Sequence, residues 1–265
     1  MNGINLHTHT TYCDGKNTPE EIIKTAIDKG FYGVGFSSHA YTPFDDSFCM
    51  SKDAEEKYIS HINDLKNCTD IEIYLGTEQD LYSEIDKSLY DYTIGSIHYV
   101  KVGDSYLEVD HAETITDNNV KEFFGGSYKK YAGAYFEEVC KLNSISPDII
   151  GHFDLVTKFN EGMKYFYENA KSYLDMVFSA IDTLNCDIYE LNSGAIARGY
   201  RSTPYPSVPI LKRLKEKGKF INISSDCHQA EYLDYHFSES VTLLKEIGFK
   251  SAVILKDKKF TEQPL

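Results

Sequence analysis

Ile4-Asn5-Leu6-His7-Thr8-His9 is a short apolar run that ends in two histidines, and Thr18-Pro19-Glu20-Glu21 opens a helix soon after it. The helix start is well signalled. Thr18 is a capping residue, Pro19 already has the φ of a first helical turn, and Glu21 completes a capping box. Gly30 stops the helix. The same alternation recurs down the chain. Strands are expected at Ile4-Leu6, Gly33-Ser37, Ile71-Gly76, Tyr92-Ile97, Ile149-His152, Asp187-Leu191, Phe220-Ser224 and Ser251-Leu255. Helices are expected at Thr18-Asp28, Lys52-Lys66, Ser127-Leu142, Tyr165-Thr183, Pro209-Lys217 and Ser238-Ile247. Repeated strand-helix units build a parallel sheet covered by helices. Seven or eight such strands in 265 residues suit a closed or nearly closed α/β barrel, which takes about 250 residues as one unit. Residues 1–265 are therefore read as a single domain. Gly103 to Asn119 and Asn192 to Pro209 carry no clear period and are expected as long binding loops or lids.

Composition fits that class. Hydrophobic residues make up 42% of the chain and charged residues 26%, enough for a large core under an ordinary solvated surface. The net charge of -14 repels nucleic-acid phosphates, so nucleic acid is not the expected partner and an anionic substrate must be drawn by local charge. Cys13, Cys49, Cys68, Cys140, Cys186 and Cys227 form no CxxC pair. With no charged-then-apolar leader, reduced thiols and a cytoplasmic location are expected. No apolar run approaches the roughly 18 residues of a membrane span.

Residues able to do chemistry then recur strand by strand. Side chains two apart on a strand share a face, so His7 projects with His9, and Asp226 with His228. His39 follows Val34-Gly35-Phe36, Glu78 follows Ile73-Tyr74-Leu75, His98 follows Ile94-Gly95-Ser96-Ile97, and His152 follows Ile149-Ile150-Gly151. Barrel enzymes gather their chemistry at this C-terminal rim, with residues from many strands. A lone histidine is more often a hydrogen-bonded structural residue than a ligand. Six strands ending alike are not explained that way, and a metal site is. Imidazole and carboxylate donors without paired thiolates suit zinc, iron(II) or manganese with open coordination positions. His61, His111 and His236 lie in a charged helix or in weakly periodic stretches and are set aside.

In order, His7-Thr8-His9, His39, Gly76-Thr77-Glu78, Gly95-Ser96-Ile97-His98, Gly151-His152-Phe153-Asp154 and Ser225-Asp226-Cys227-His228 resemble the successive motifs of the PHP (polymerase and histidinol phosphatase) family. The match runs from the first strand to about residue 228. The opening His7-Thr8-His9-Thr10-Thr11-Tyr12-Cys13-Asp14-Gly15, and Glu190-Leu191-Asn192-Ser193-Gly194 before Arg198, are similar to the histidinol-phosphate phosphatases within it. The resemblance implies a distorted (β/α)7 TIM-like barrel holding three divalent metal ions, zinc first, with iron or manganese as alternatives. Carried over, His7, His9, Glu78 and Asp226 hold one ion. Glu78 bridges to a second held by His98 and His152, and His39 and His228 hold the third. Several family members place a histidine in the loop after the first motif; this chain has Asp14 there, and a carboxylate also binds such ions.

The implied activity is hydrolysis of a small phosphate monoester, L-histidinol phosphate, in histidine biosynthesis. Three divalent ions set against Asp14, Glu78 and Asp226 leave roughly +3, which reverses the chain's charge locally and favours a phosphate dianion. Asp226 and His228 are the catalytic candidates, placed to assist proton transfer to the leaving alkoxide. Arg198 and Arg201, in the loop after Glu190-Leu191-Asn192, are candidate substrate contacts because the guanidinium fork matches phosphate oxygens. The same metals could serve another ester, on a phosphotyrosine protein, a nucleotide or single-stranded nucleic acid. A non-catalytic module is expected to have lost ligands, whereas each position here carries one.

Overall fold

The first strand of the barrel is two residues long, and what joins it to the last strand is the chain just beyond both. The computed structural model describes residues 3–265. Its elements run β1 (Ile4–Asn5), α1 (Pro19–Asp28), β2 (Gly33–Phe36), α2 (Lys52–Leu65), β3 (Glu72–Asp80), β4 (Tyr92–Ser96), β5 (Tyr99–Val102), β6 (Ser105–Glu108), α3 (Glu113–Phe124), α4 (Tyr128–Lys141) and β7 (Ile149–Ile150). They continue with α5 (Lys171–Thr183), β8 (Ile188–Asn192), α6 (Gly194–Ala197), α7 (Val208–Glu216), β9 (Phe220–Ser224), α8 (Phe237–Ile247), β10 (Ser251–Lys256) and β11 (Lys259–Pro264). Seven strands pair in the order β1-β2-β3-β4-β7-β8-β9, every pair parallel. His9 N–H then donates to the Cys227 carbonyl at 2.8 Å and Cys227 N–H to the His7 carbonyl at 2.9 Å. The result is a distorted (β/α)7 barrel, closed at its C-terminal rim by the backbone that carries His7, His9 and Asp226.

Local sequence explains the layers. Thr18 and Glu21 form the expected box, Glu21 N–H donating to Thr18 Oγ1 at 3.4 Å and Thr18 N–H to the Glu21 carboxylate at 3.0 Å. The apolar face of α1, Ile22, Ile23 and Ala26, packs with Val34 and Phe36 of β2 and with Tyr58 and Ile62 of α2. Each large side chain so buried contributes about 1.5–3 kcal/mol of transfer free energy. Inside the barrel, Tyr92 fills the space beneath the rim and donates its hydroxyl to the Leu6 carbonyl. A Cβ on Gly76 would sit 2.3 Å from the Tyr92 ring, so a side chain there would displace it.

Four expectations are corrected. Ser251-Leu255 is a strand, but β10 pairs antiparallel with β11 outside the seven-stranded sheet. Ile254 and Leu255 instead pack with Ile4, Leu6, Tyr74 and Tyr92. Asp257 and Lys258, both at positive φ, make the tight hairpin turn that sends the chain back. The stretch from Gly103 to Asn119 is not a structureless loop, because it holds β6, paired antiparallel with β5, and most of α3. α5 starts at Lys171 rather than Tyr165, since the Asn160 side chain takes the N–H groups of Tyr165 and Phe166 and holds them in a turn. β3 runs on to Asp80, which puts Glu78 within the strand rather than after it. Among the described residues no helix is long and apolar enough to cross a membrane.

Candidate metal centre

Every expected metal residue comes to the C-terminal rim, with Glu78 among them. Glu78 Oε2 lies 3.0 Å from His39 Nδ1, 3.1 Å from His7 Nε2 and 3.4 Å from His9 Nε2. Its Oε1 lies 2.7 Å from His152 Nε2 and 3.4 Å from His98 Nε2. Asp226 Oδ1 is 3.2 Å from His9 Nε2 and 3.6 Å from His7 Nε2. Asp14 stands further out, its carboxylate 3.2 Å from His228 Nε2, 3.7 Å from His9 Nδ1 and 3.8 Å from His39 Nε2. Potential donor atoms fall within 4.8 Å of one another in four groups. One is His9, Asp14, His39 and His228; the others are His7, His9 and Glu78; His7, His152 and Asp226; and His39, Glu78 and His98. Asp14 therefore joins His39 and His228, and His9 stands between that group and the one around Glu78.

The donors fit divalent cations. His7 Nε2, His9 Nε2, His152 Nδ1 and Asp14 Oδ1 are buried without a hydrogen-bond partner, while His98 Nδ1 faces Asp80 Oδ2 at 3.5 Å. Each such atom costs about 1–3 kcal/mol when left unsatisfied, and a cation among them removes that cost. Charge is arranged to match. Burial opposes ionisation of Glu78 and Asp226, yet the imidazoles facing Glu78 and Arg198 beside Asp226 hold both carboxyls well below the usual range. Burial, with His228 and His39 alongside, lowers His9 to about 3, so its ring stays neutral and keeps one nitrogen free to ligate. Burial also disfavours charge on His7, but Glu190, Glu78 and Asp226 outweigh it and raise its pKa well above the ordinary value. A metal at His7 competes with that proton.

Two backbone features aim these groups. Asp226 has φ 49°, a left-handed conformation uncommon for a residue with a Cβ, and it turns the chain sharply where β9 ends. A Cβ on Gly15 would lie 2.5 Å from the His9 carbonyl carbon and the Thr10 nitrogen. Only glycine lets the Asp14 loop fold so closely over His9.

Sequence reading left out the residues behind the donors. Glu190, fully buried on β8, lies 2.6 Å from His7 Nδ1, accepts His152 N–H at 2.9 Å and Asn192 Nδ2 at 2.8 Å, and also accepts the Ser224 hydroxyl. Asp80 accepts His98 N–H at 2.8 Å. The available signal was an acid inside a β-type run, where burial requires polar partners.

A cavity of about 220 Å³ opens over the cluster, and Arg198, Lys158, Tyr200 and His111 reach it. Arg198 Nη2 donates to Asp226 Oδ2 at 2.8 Å and Nη1 lies 2.9 Å from His228 Nδ1. Arg201 does not line the cavity, contrary to expectation. Its guanidinium is buried against both Glu168 carboxylate oxygens, at 2.7 and 3.0 Å, and donates to the Thr157 carbonyl at 2.7 Å. It braces the loop instead. Lys158, missed in sequence, is held by the Asp110 carbonyl at 2.7 Å and carboxylate at 3.1 Å. His111, set aside earlier, is at the cavity; His61 is not, and pairs with Glu20 at 2.9 Å.

The PHP domain profile matches residues 5–192. The chain belongs to the PHP domain family. It is similar to the histidinol-phosphatase of Bacillus subtilis, 27% identical over 261 residues that cover 87% of this chain and 95% of that protein. In three dimensions this PHP domain resembles histidinol phosphate phosphatase from Lactococcus lactis subsp. lactis, solved with zinc, L-histidinol and phosphate. The TM-score is 0.68 at 21% identity, over 98% of this chain and 99% of that one. A structure from Listeria monocytogenes gives a TM-score of 0.75 at 18% identity, over 89% and 99%. The fold is thus the distorted barrel of the PHP domain.

Proposed function

We propose that this PHP protein is a metal-dependent phosphomonoesterase that hydrolyses L-histidinol phosphate to L-histidinol and phosphate, with residues 1–265 acting as one unit. The observation that carries the reading is the set of buried, unpartnered imidazole nitrogens and carboxylates under a cavity that also receives Arg198 and Lys158. Such a floor calls for cations, and cations with two basic side chains suit a phosphate dianion in a chain of net charge -14. The choice of ester is supported by the Bacillus subtilis relative, named histidinol-phosphatase, and by the Lactococcus lactis neighbour, which binds zinc, L-histidinol and phosphate.

His7, His9, Glu78 and Asp226 would hold one divalent ion, His98 and His152 with Glu78 a second, and Asp14, His39 and His228 a third, zinc first with iron or manganese as alternatives. When bound, the ions supply charge neutralisation at the phosphate and an activated water. The chain's own groups do the rest. Arg198 presents a planar, permanently charged fork at the cavity, held by Asp226, and Lys158 adds a point charge. Guanidinium has no acceptor, so Arg198 Nη1 donates to His228 Nδ1. That leaves His228 Nε2, 3.2 Å from the Asp14 carboxylate, facing the third ion's place. Asp226, held ionised, accepts a proton more readily than it gives one.

Turnover of L-histidinol phosphate, compared with phosphotyrosine, a nucleotide and a short single-stranded oligonucleotide, tests the reading when metal content is measured on the same sample. Preference for L-histidinol phosphate is expected. Preference for another ester would overturn the substrate and leave the metal centre standing.

A further inference from the structure

The cavity has a second acidic wall that the metal centre does not use. β6 ends at Glu108, and Val109, itself buried, donates its N–H to the His98 carbonyl at 2.9 Å. That bond extends the β5-β6 pairing by one rung to His98, the residue before β5. Glu108 and Asp110, two residues apart with Val109 turned into the core, both reach the cavity. They are not equivalent. Asp110 is engaged by Lys158 at 3.1 Å. Glu108, with a side chain 29% exposed, has His111 Nδ1 as its basic neighbour, at 3.7 Å, and among the described residues no lysine or arginine pairs with it. Burial raises its pKa, and Asp45 and Asp110 add to the rise while His111 opposes it. An incoming cation would relieve that crowding of negative charge. The cavity is a polar ligand's site on independent grounds, because the unpartnered Nδ1 atom of His152 belongs to a residue that lines it and is only 4% exposed. Phe48, Tyr99 and Tyr200 add flat apolar surface to the same walls.

We propose that Glu108 is a specificity-determining residue that takes the ammonium group of the substrate's alcohol, so that the cavity selects phosphomonoesters anionic at one end and cationic at the other. The inference rests on the phosphomonoesterase reading and deepens it. Phosphate is drawn to the metal floor with Arg198 and Lys158, and a short amino alcohol esterified to it carries its ammonium toward the hairpin wall. A charge-assisted hydrogen bond forms there, stronger than one between neutral groups. A neutral alcohol of the same size gains nothing from Glu108 and leaves it unpaired.

The test is kcat/KM for L-histidinol phosphate and for 3-(imidazol-4-yl)propyl phosphate, which has the same chain without the amine, in the metal-loaded wild type, Glu108→Gln, Glu108→Asp and Asp110→Asn. The proposal expects the ratio of the two values to fall about tenfold or more in Glu108→Gln, mainly through KM, to recover in part in Glu108→Asp, and to move less in Asp110→Asn. If both esters are hydrolysed and Glu108→Gln leaves the ratio where the wild type has it, the proposal is wrong and the phosphomonoesterase reading survives. If the metal-loaded wild type hydrolyses neither ester, both are wrong.

Discussion

Glu190 Oε1 lies 2.6 Å from His7 Nδ1, with both side chains fully buried, and this contact turns Nε2 of the same ring toward Glu78. The other Glu190 oxygen takes the backbone N–H of His152, so one carboxylate orients the His7 ring and anchors the backbone that carries His152. A carboxylate behind a histidine fixes its tautomer and raises its basicity as a ligand.

Glu190→Gln should therefore keep the barrel and loosen the metal. A loss of about 10–100-fold in metal affinity is expected, measured by titration with a competing chelator, and kcat/KM should fall alongside it. Unchanged affinity in a folded variant would show that His7 is oriented by other means.

Arg198 and Arg201 sit three residues apart and should fail differently. Arg198→Ala removes the cavity's fork, and a drop of about 10²–10³-fold in kcat/KM is expected, on the scale of losing one transition-state donor. Arg198→Lys should recover little, because a point charge cannot reproduce two parallel bonds. Full activity in Arg198→Ala would remove it from the substrate site.

Arg201→Ala leaves Glu168 buried without its bidentate partner. Breaking such a pair typically costs about 3–5 kcal/mol, so denaturant unfolding should show a large destabilisation. A variant as stable as wild type would mean that Glu168 finds another partner or that water reaches it.

The strand-end histidines were legible because each follows a short apolar run, and position on a strand fixes which side chains share a face. The capping box of α1 was legible for a similar reason, since its signals lie within one turn. Glu190 was not assigned, because its role depends on His7, far away in the chain and brought beside it only when the barrel closes. Arg198 and Arg201 look alike in a loop, and only the placement of Glu168 separates them. β10 reads as another barrel strand, yet the turn at Asp257-Lys258 pairs it with β11.

Asp110, at the wall of the cavity, gives a pH signature of its own. Burial works against its ionised form, but Lys158 and then His98 outweigh it and bring the carboxyl down to about 2, from an ordinary 3.8. A depressed carboxyl stabilises the fold fully above its unfolded value, and that contribution is lost as pH falls through the folded one. With chelator present throughout, the wild type should lose more stability than Asp110→Asn between about pH 4 and pH 2. Parallel stability curves across that window would contradict the Asp110–Lys158 pairing.

The central claim is that the clustered imidazoles and carboxylates hold ions without which the ester is not hydrolysed. The most direct measurement is turnover of L-histidinol phosphate by protein stripped with a chelator, with folding followed by circular dichroism and metal content on the same sample, then repeated after adding zinc. The account predicts a folded, metal-free protein whose activity falls to background and returns with zinc. A folded, metal-free protein that keeps its full rate would contradict it.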